Sequence, residues 1–234
     1  MQLTFASYNI HKAVGLDRRR DPERIMAVLH EIDADVIALQ EADRRFGRRE
    51  SVLPKQLLEY PGHYRAVPLN HRPDSLGWHG NALLVKRGIT VLEASVVPLP
   101  MLEPRGAVRA DLLCHGQRVR VVGMHLDLSG LRRRHQLRAI LDHVSACAAP
   151  CPAVLLGDFN EWSANGGSLR ELAAPWRVLT PGRSFPARRP VARLDRIVIS
   201  PDWQVERTAV HHSALAAVGS DHLPVFARLA LPEK

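Results

Sequence analysis

The chain has 234 residues, is 46% hydrophobic and carries a formal net charge of +8, from 32 Lys and Arg against 24 Asp and Glu. No stretch approaches the ~20 consecutive apolar residues of a bilayer-spanning helix, and Cys114, Cys147 and Cys151 form neither a metal-type pair nor an even disulfide framework. A helical membrane protein and a disulfide scaffold are thereby excluded. One domain over residues 1–234, with a substantial core, is expected in a reducing cytoplasm.

Residues 3–10 alternate as a strand ending near Asn9, so close to the first residue that no signal peptide is expected. Asp21 then caps a helix, with Pro22 at its first position and Glu23 in the positive first turn. Ile25, Val28, Leu29 and Ile32 make its buried stripe. A buried strand at 36–40 leads to Glu41. Further strands are expected at 64–69, 81–85, 89–97, 107–114 and 119–126, with 83–97 and 107–122 reading as antiparallel hairpins. A long helix over 131–147 buries Leu137, Ile140, Leu141 and Val144. A strand at 153–156, a short helix at 168–173 and strands at 194–200, 204–211 and 225–231 complete the chain. With strands filling the centre and helices near both ends, the simplest packing is two mostly antiparallel sheets covered by outer helices.

Oxygen ligands and histidines cluster where the apolar runs end. Gly157 is expected to turn the chain sharply, so that Asp158 and Asn160 project together after the 153–156 strand. A carboxylate and an amide at that spacing can hold an attacking water and a phosphate oxygen; the same pair also suits an Asx turn. Glu41 fits as the main ligand of a hard divalent cation, with Asn9 adding a neutral oxygen. The pair Asp221-His222 joins a metal-side carboxylate to an imidazole that handles protons, and Asp195 can orient that ring through its second nitrogen. His125 shares a strand face with Val119, Val121 and Gly123. It reads either as a phosphoryl contact or as a core histidine. Because the ligands are Asn, Glu and Asp rather than His and Cys at short spacing, Mg²⁺ is favoured over zinc, with Mn²⁺ a plausible substitute.

The ordered series Tyr8-Asn9-Ile10, Leu39-Gln40-Glu41, His125-Leu126, Gly157-Asp158-Phe159-Asn160, Leu194-Asp195-Arg196-Ile197 and Ser220-Asp221-His222-Leu223-Pro224 resembles the endonuclease/exonuclease/phosphatase superfamily over residues 3–229. The resemblance implies a four-layer α/β/β/α sandwich in the α/β class. It casts Glu41 as the metal carboxylate with Asn9 beside it, and Asp221 on the metal side. It makes Asp158 the water-positioning residue, His222 the catalytic histidine and Asp195 its orienter. Asn160, His125 and, more loosely, Arg105 become phosphate contacts. Abasic-site enzymes carry a Tyr where His125 stands and an Asn where Leu128 stands, which counts against abasic DNA repair. The Tyr-Asn-Ile-His-Lys opening and the Ser184-Phe185-Pro186 stretch are similar to a bacterial branch near lipid-synthesis genes, and to the hydrolase-like domain of proteins that remodel glycosylphosphatidylinositol anchors.

The expected function is therefore Mg²⁺-dependent hydrolysis of a phosphodiester or phosphomonoester by in-line attack of water, a nuclease among the options. The alternatives are a phosphodiesterase of phospholipid or phosphoinositide head groups, and a non-catalytic phosphate- or nucleic-acid-binding module. Only four of the basic residues are Lys, and the arginine clusters suit a phosphate polyanion, whether nucleic acid or anionic lipid. No obligate protein partner is evident.

Overall fold

Three buried apolar clusters separate the layers of the protein, which is described here from a computed structural model covering residues 1–45, 47–59, 63–69, 73–100, 105–147 and 149–232. The chain runs β1 (Gln2–Asn9), α1 (Pro22–Ile32), β2 (Val36–Gln40), α2 (Lys55–Glu59), β3 (Tyr64–Ala66), β4 (Ala82–Lys86), β5 (Thr90–Val97), β6 (Gly106–Cys114) and β7 (Gln117–His125). It continues as α3 (Gly130–Ser145), β8 (Ala153–Asp158), β9 (Arg177–Leu179), β10 (Asp195–Ile199), β11 (Gln204–Val210), α4 (Ala216–Gly219) and β12 (Val225–Ala230).

Two six-stranded sheets result, ordered β11-β12-β1-β2-β4-β3 and β5-β6-β7-β8-β10-β9. Each contains one parallel pair, β1 with β2 and β7 with β8, and is otherwise antiparallel. The central cluster packs Leu3, Phe5, Val36 and Leu83 of the first sheet against Val108, Val121, Leu156 and Ile197 of the second. The opposite face of the first sheet, with Tyr8, Ile37 and Leu39, is covered by Ile25, Val28 and Leu29 of α1. Leu137 and Ile140 of α3 cover Val122, Leu155 and Val198 on the second. The layers are thus α/β/β/α, as expected.

The α1 signals act as read: the Asp21 side chain accepts the Arg24 N–H at 2.9 Å, and Pro22 opens the helix. Three readings need correction. The 83–97 run is not a hairpin, because β4 lies inside the first sheet and β5 is an edge strand of the second. Both edges of β4 are already bonded, to β2 and β3, so β5 has nothing there to pair with. Gly157 is not a turn; β8 continues through Asp158. Its glycine is required by a close neighbour instead, since a Cβ there would lie 1.9 Å from the Met124 carbonyl oxygen of β7. The short helix expected at 168–173 is a 3₁₀ turn over Gly167–Glu171. The short elements α2, α4 and β9 were not anticipated, their periods being too brief to show in sequence.

Candidate active site

The two-residue period of a strand decides where the site forms. On β1 the residues facing the second sheet are Leu3, Phe5, Ser7 and Asn9; on β8 they are Val154, Leu156 and Asp158. On β7 the same face ends in His125, and on β10 it begins with Asp195. Pairing sets them side by side: His125 lies opposite Asp158 across β7–β8, and Asp195 lies opposite Asp158 across β8–β10. Four polar side chains therefore cap the apolar inter-sheet core at one end of the sandwich.

Asp158 is at the centre. Its Oδ2 accepts from Asn9 Nδ2 at 3.1 Å, a bond between residues on the two different sheets, and its Oδ1 accepts the Asn160 N–H at 2.9 Å. The second contact is the Asx turn that the Asp-x-Asn spacing allows. Burial, only partly offset by His222 and these donors, lifts the Asp158 carboxyl to about 6.

His222 follows the β10 side of the cluster. Its Nδ1 lies 2.9 Å from Asp195 Oδ2 and its Nε2 lies 3.7 Å from Asp158 Oδ2. Burial pushes this imidazole down, but the carboxylates of Asp195 and Asp158 outweigh it and raise the ring to about 10. At neutral pH it is an imidazolium with Nδ1–H donating to Asp195. Ser184 Oγ donates to the same Asp195 oxygen, and the Phe185 ring stands 4.8 Å from the His222 ring. Asp158, Asp195 and His222 each bring a ligand-type atom within 4.8 Å of the others.

His125 behaves oppositely. Burial first, then the charges of Arg105, His222 and Lys12, hold it well below the usual histidine range. Arg105 Nη1 donates to its Nε2, and also to the Leu126 carbonyl at 3.1 Å. The 3.4 Å approach of that nitrogen to Asp158 Oδ2 is therefore not an ion pair, because a neutral ring accepting from Arg105 has no proton there to give. Asn160 Nδ2 donates to the Leu126 carbonyl at 2.9 Å, leaving its second N–H for a ligand.

Glu41 lines a cleft together with Lys12, Arg44, Arg49, Gly80, Arg105 and His125. It pairs with Lys12, and although burial opposes its ionisation, Lys12, His11 and Arg105 keep its carboxyl below the ordinary glutamate value. Lys12, Glu41 and Asn160 all have left-handed backbones, with φ of 57°, 56° and 50°. Such conformations are uncommon for Lys and Glu and cluster where a fold imposes them at a functional position. Asp221 is half-buried beside Ser220, whose Oγ bonds the Asn9 carbonyl at 2.7 Å and Asp221 Oδ1 at 3.3 Å.

All nine residues singled out from sequence thus border one end of the sandwich. Three further residues touch this group without a sequence signal that singles them out: Lys12 against Glu41, Ser184 against Asp195 and Ser220 against the Asn9 carbonyl. The cleft lining is mostly cationic, with Lys12, Arg44, Arg45, Arg49 and Arg105 against the carboxylates of Glu41 and Asp43. The Glu41 carboxylate and the amide oxygen of Asn9 are the ligand types a hard divalent cation takes.

The family model described as Endonuclease/Exonuclease/phosphatase family matches residues 6–222, and the chain belongs to that family. It is 28% identical over 243 residues to the uncharacterized protein YbhP of Escherichia coli, covering 95% of this chain and 94% of that one. Among solved structures, D. rerio TDP2 complexed with single-strand DNA product is similar at a TM-score of 0.73 and 17% identity, over 98% of this chain and 99% of that one. Mannosyl-6-phosphatase Bt3783 of Bacteroides thetaiotaomicron is similar at a TM-score of 0.74 and 19% identity, over 98% and 100%. At these identities the two structures speak for the fold.

Proposed function

We propose that the chain is a single-domain, Mg²⁺-dependent phosphoesterase that hydrolyses the P–O bonds of a phosphodiester or a phosphomonoester. The observation carrying this reading is the series Asn9–Asp158–His222–Asp195, linked by contacts of 3.1, 3.7 and 2.9 Å, beside His125, which lines an adjoining cleft with Arg105 and Glu41. Similarity to proteins named for DNA product and for a sugar phosphatase supports phosphoester chemistry and leaves diester and monoester both open.

Glu41 would hold the cation, with Asn9 and Asp221 on the same side. When bound, it neutralises charge on the phosphoryl and leaving oxygens. The chain supplies the rest. Asp158, ionised above about pH 6, accepts a hydrogen bond from the attacking water and orients it in line. The His222 imidazolium directs Nε2–H at developing negative charge on a phosphoryl oxygen, while Asp195 holds the ring and Ser184 holds Asp195. The free N–H of Asn160 and the Arg105 guanidinium grip the remaining oxygens. Neutral His125 keeps Arg105 in position. The Asp158-Asp195-His222 cluster acts as a relay rather than a metal cage, because its closest contact, His222 Nδ1 to Asp195, is already satisfied within the protein.

The test offers purified protein, with Mg²⁺ or Mn²⁺ and with EDTA, bis(p-nitrophenyl) phosphate, plasmid DNA, RNA, phosphoinositides and phospholipids side by side. Metal-dependent release from at least one class is expected. Binding of phosphate ligands with no turnover of any would favour the non-catalytic module instead.

A further inference from the structure

Among the described residues, the four most exposed large hydrophobic side chains are Leu131 and Trp162, each 64% exposed, Leu128 at 62% and Val191 at 55%; Leu92 comes next at 46%. All four lie at the catalytic end of the sandwich, three on loops and Leu131 at the start of α3. Leu128 follows β7, and Leu131 lies three residues on, in the first turn of α3. Trp162 follows Asn160 after β8. Val191 lies on the loop that carries Phe185.

These loops are joined to one another. Arg133 Nη1 donates to the Asp127 and Leu128 carbonyls at 3.2 and 2.6 Å, and its Nη2 to Glu161 at 3.2 Å, beside Trp162. The Trp162 ring stacks edge-on against Phe185 at 6.1 Å, Phe185 lies against His222, and the Phe185 carbonyl accepts the Val191 N–H at 2.8 Å. Patches of this kind on a soluble protein mark an interaction surface. Exposed arginines flank this one: Arg134 on α3, and Arg188, Arg189 and Arg193 on the Phe185 loop.

We infer that this rim is a docking surface for an anionic phospholipid bilayer, seating Leu128, Leu131, Trp162 and Val191 below the head-group level while the flanking arginines meet lipid phosphates. The inference rests on the proposed phosphoesterase reading only in that a docked rim would bring lipid head-group phosphates to the adjacent cleft. Charge and shape select this occupant. Apolar side chains bordered by Arg suit a negatively charged interface. A nucleic-acid strand is held by stacking on aromatic faces, and three of the four side chains are aliphatic. A second copy of the chain would set like-charged arginine borders against each other.

The test is flotation of the full chain with vesicles of phosphatidylcholine and phosphatidylglycerol, compared with phosphatidylcholine alone. Binding is expected to the anionic vesicles and to be much weaker to the neutral ones. Trp162→Ala should weaken it about tenfold, and Leu128→Ser, Leu131→Ser and Trp162→Ala combined about a hundredfold, as loss of buried apolar surface requires. Leu92→Ser, on β5, should leave it unchanged. The rim variants should keep the parent circular dichroism and the parent rate on soluble bis(p-nitrophenyl) phosphate. Asp158→Asn should float like the parent, so failure of the catalytic assignment and failure of docking are read separately. The inference is overturned by absence of binding to anionic vesicles, by binding indifferent to the rim variants, by Trp162-dependent capture of single-stranded oligonucleotide in place of vesicles, or by a dimer that the same substitutions dissolve.

Discussion

Replacing Asp195 with Asn would remove one charge and little else, since the amide keeps the shape and an oxygen for the His222 Nδ1–H. That ring is held at about 10 against an ordinary 6.5, even though burial works against the charged form. The rise corresponds to on the order of 5 kcal/mol favouring the imidazolium. Asp195 and Asp158 share it, and Asp195 acts through both its charge and a 2.9 Å hydrogen bond. Assigning it about half gives roughly 2 kcal/mol, which is about 30-fold in an equilibrium or rate. With Asp195 neutral, His222 should lose its proton about one and a half pH units earlier, which follows from the same energy. The pH profile of kcat/KM on bis(p-nitrophenyl) phosphate should then show its alkaline limb displaced downward by that amount. At the alkaline end of the parent's plateau the rate should fall roughly 30-fold or more. An NMR titration of the His222 ring reads the same change without turnover. A folded Asp195→Asn variant whose alkaline limb and imidazole titration both match the parent would refute the assignment of His222 as a carboxylate-held acid.

Asp158→Ala and His222→Ala should each slow turnover by ~10²-fold or more, the usual contribution of a positioned acid or base, with unchanged circular dichroism; near-parental rates in either would remove that residue from the mechanism. Glu41→Ala should raise the Mg²⁺ concentration needed for half-maximal rate at least tenfold, an order set by loss of a principal carboxylate ligand, and titration of rate against metal measures it. Below neutrality, stability should fall through Glu161. Burial disfavours its ionised form, yet two backbone N–H groups, the Ser168 hydroxyl and Arg133 hold its carboxyl down at about 2 from an ordinary 4.5. A depressed carboxyl contributes stability above its unfolded value and loses it on the way down to the folded one. Roughly 3 kcal/mol should therefore disappear between pH ~5 and ~2. Urea unfolding across that range should show a smaller acid loss in Glu161→Gln, which is already destabilised at pH 7; equal pH slopes for parent and variant would contradict the account.

Much of the candidate site could be read from sequence because most of its residues stand at one end of an apolar run. A run such as Val36 to Gln40 or Ala153 to Leu156 is recognisable as a buried strand, and the polar residue ending it must emerge at a sheet end. The motifs also kept their order along the chain. Lys12 and Ser184 were hidden for a physical reason: each acts by pairing with a carboxylate distant in sequence, Glu41 in one case and Asp195 in the other. A lone Lys or Ser carries no pattern that announces such a partner. The false hairpin at 83–97 has a similar cause, since a Gly-containing turn reverses the chain without saying whether the neighbouring edge is already taken.

Local sequence determined the strands, the Asp21-capped helix, the alternation that points Asn9, His125, Asp158 and Asp195 to one face, and the oxygen-rich chemistry of the donors. It did so because propensity, capping and period depend on residues within a few positions of each other. Tertiary structure alone decided that Asp158 is proton-hungry while Glu41 stays ionised, that His222 is charged while His125 is neutral, and that scattered hydrophobic residues gather at one rim. Those properties come from burial and from charges brought together across two sheets, and no stretch of chain holds both members of such a pair.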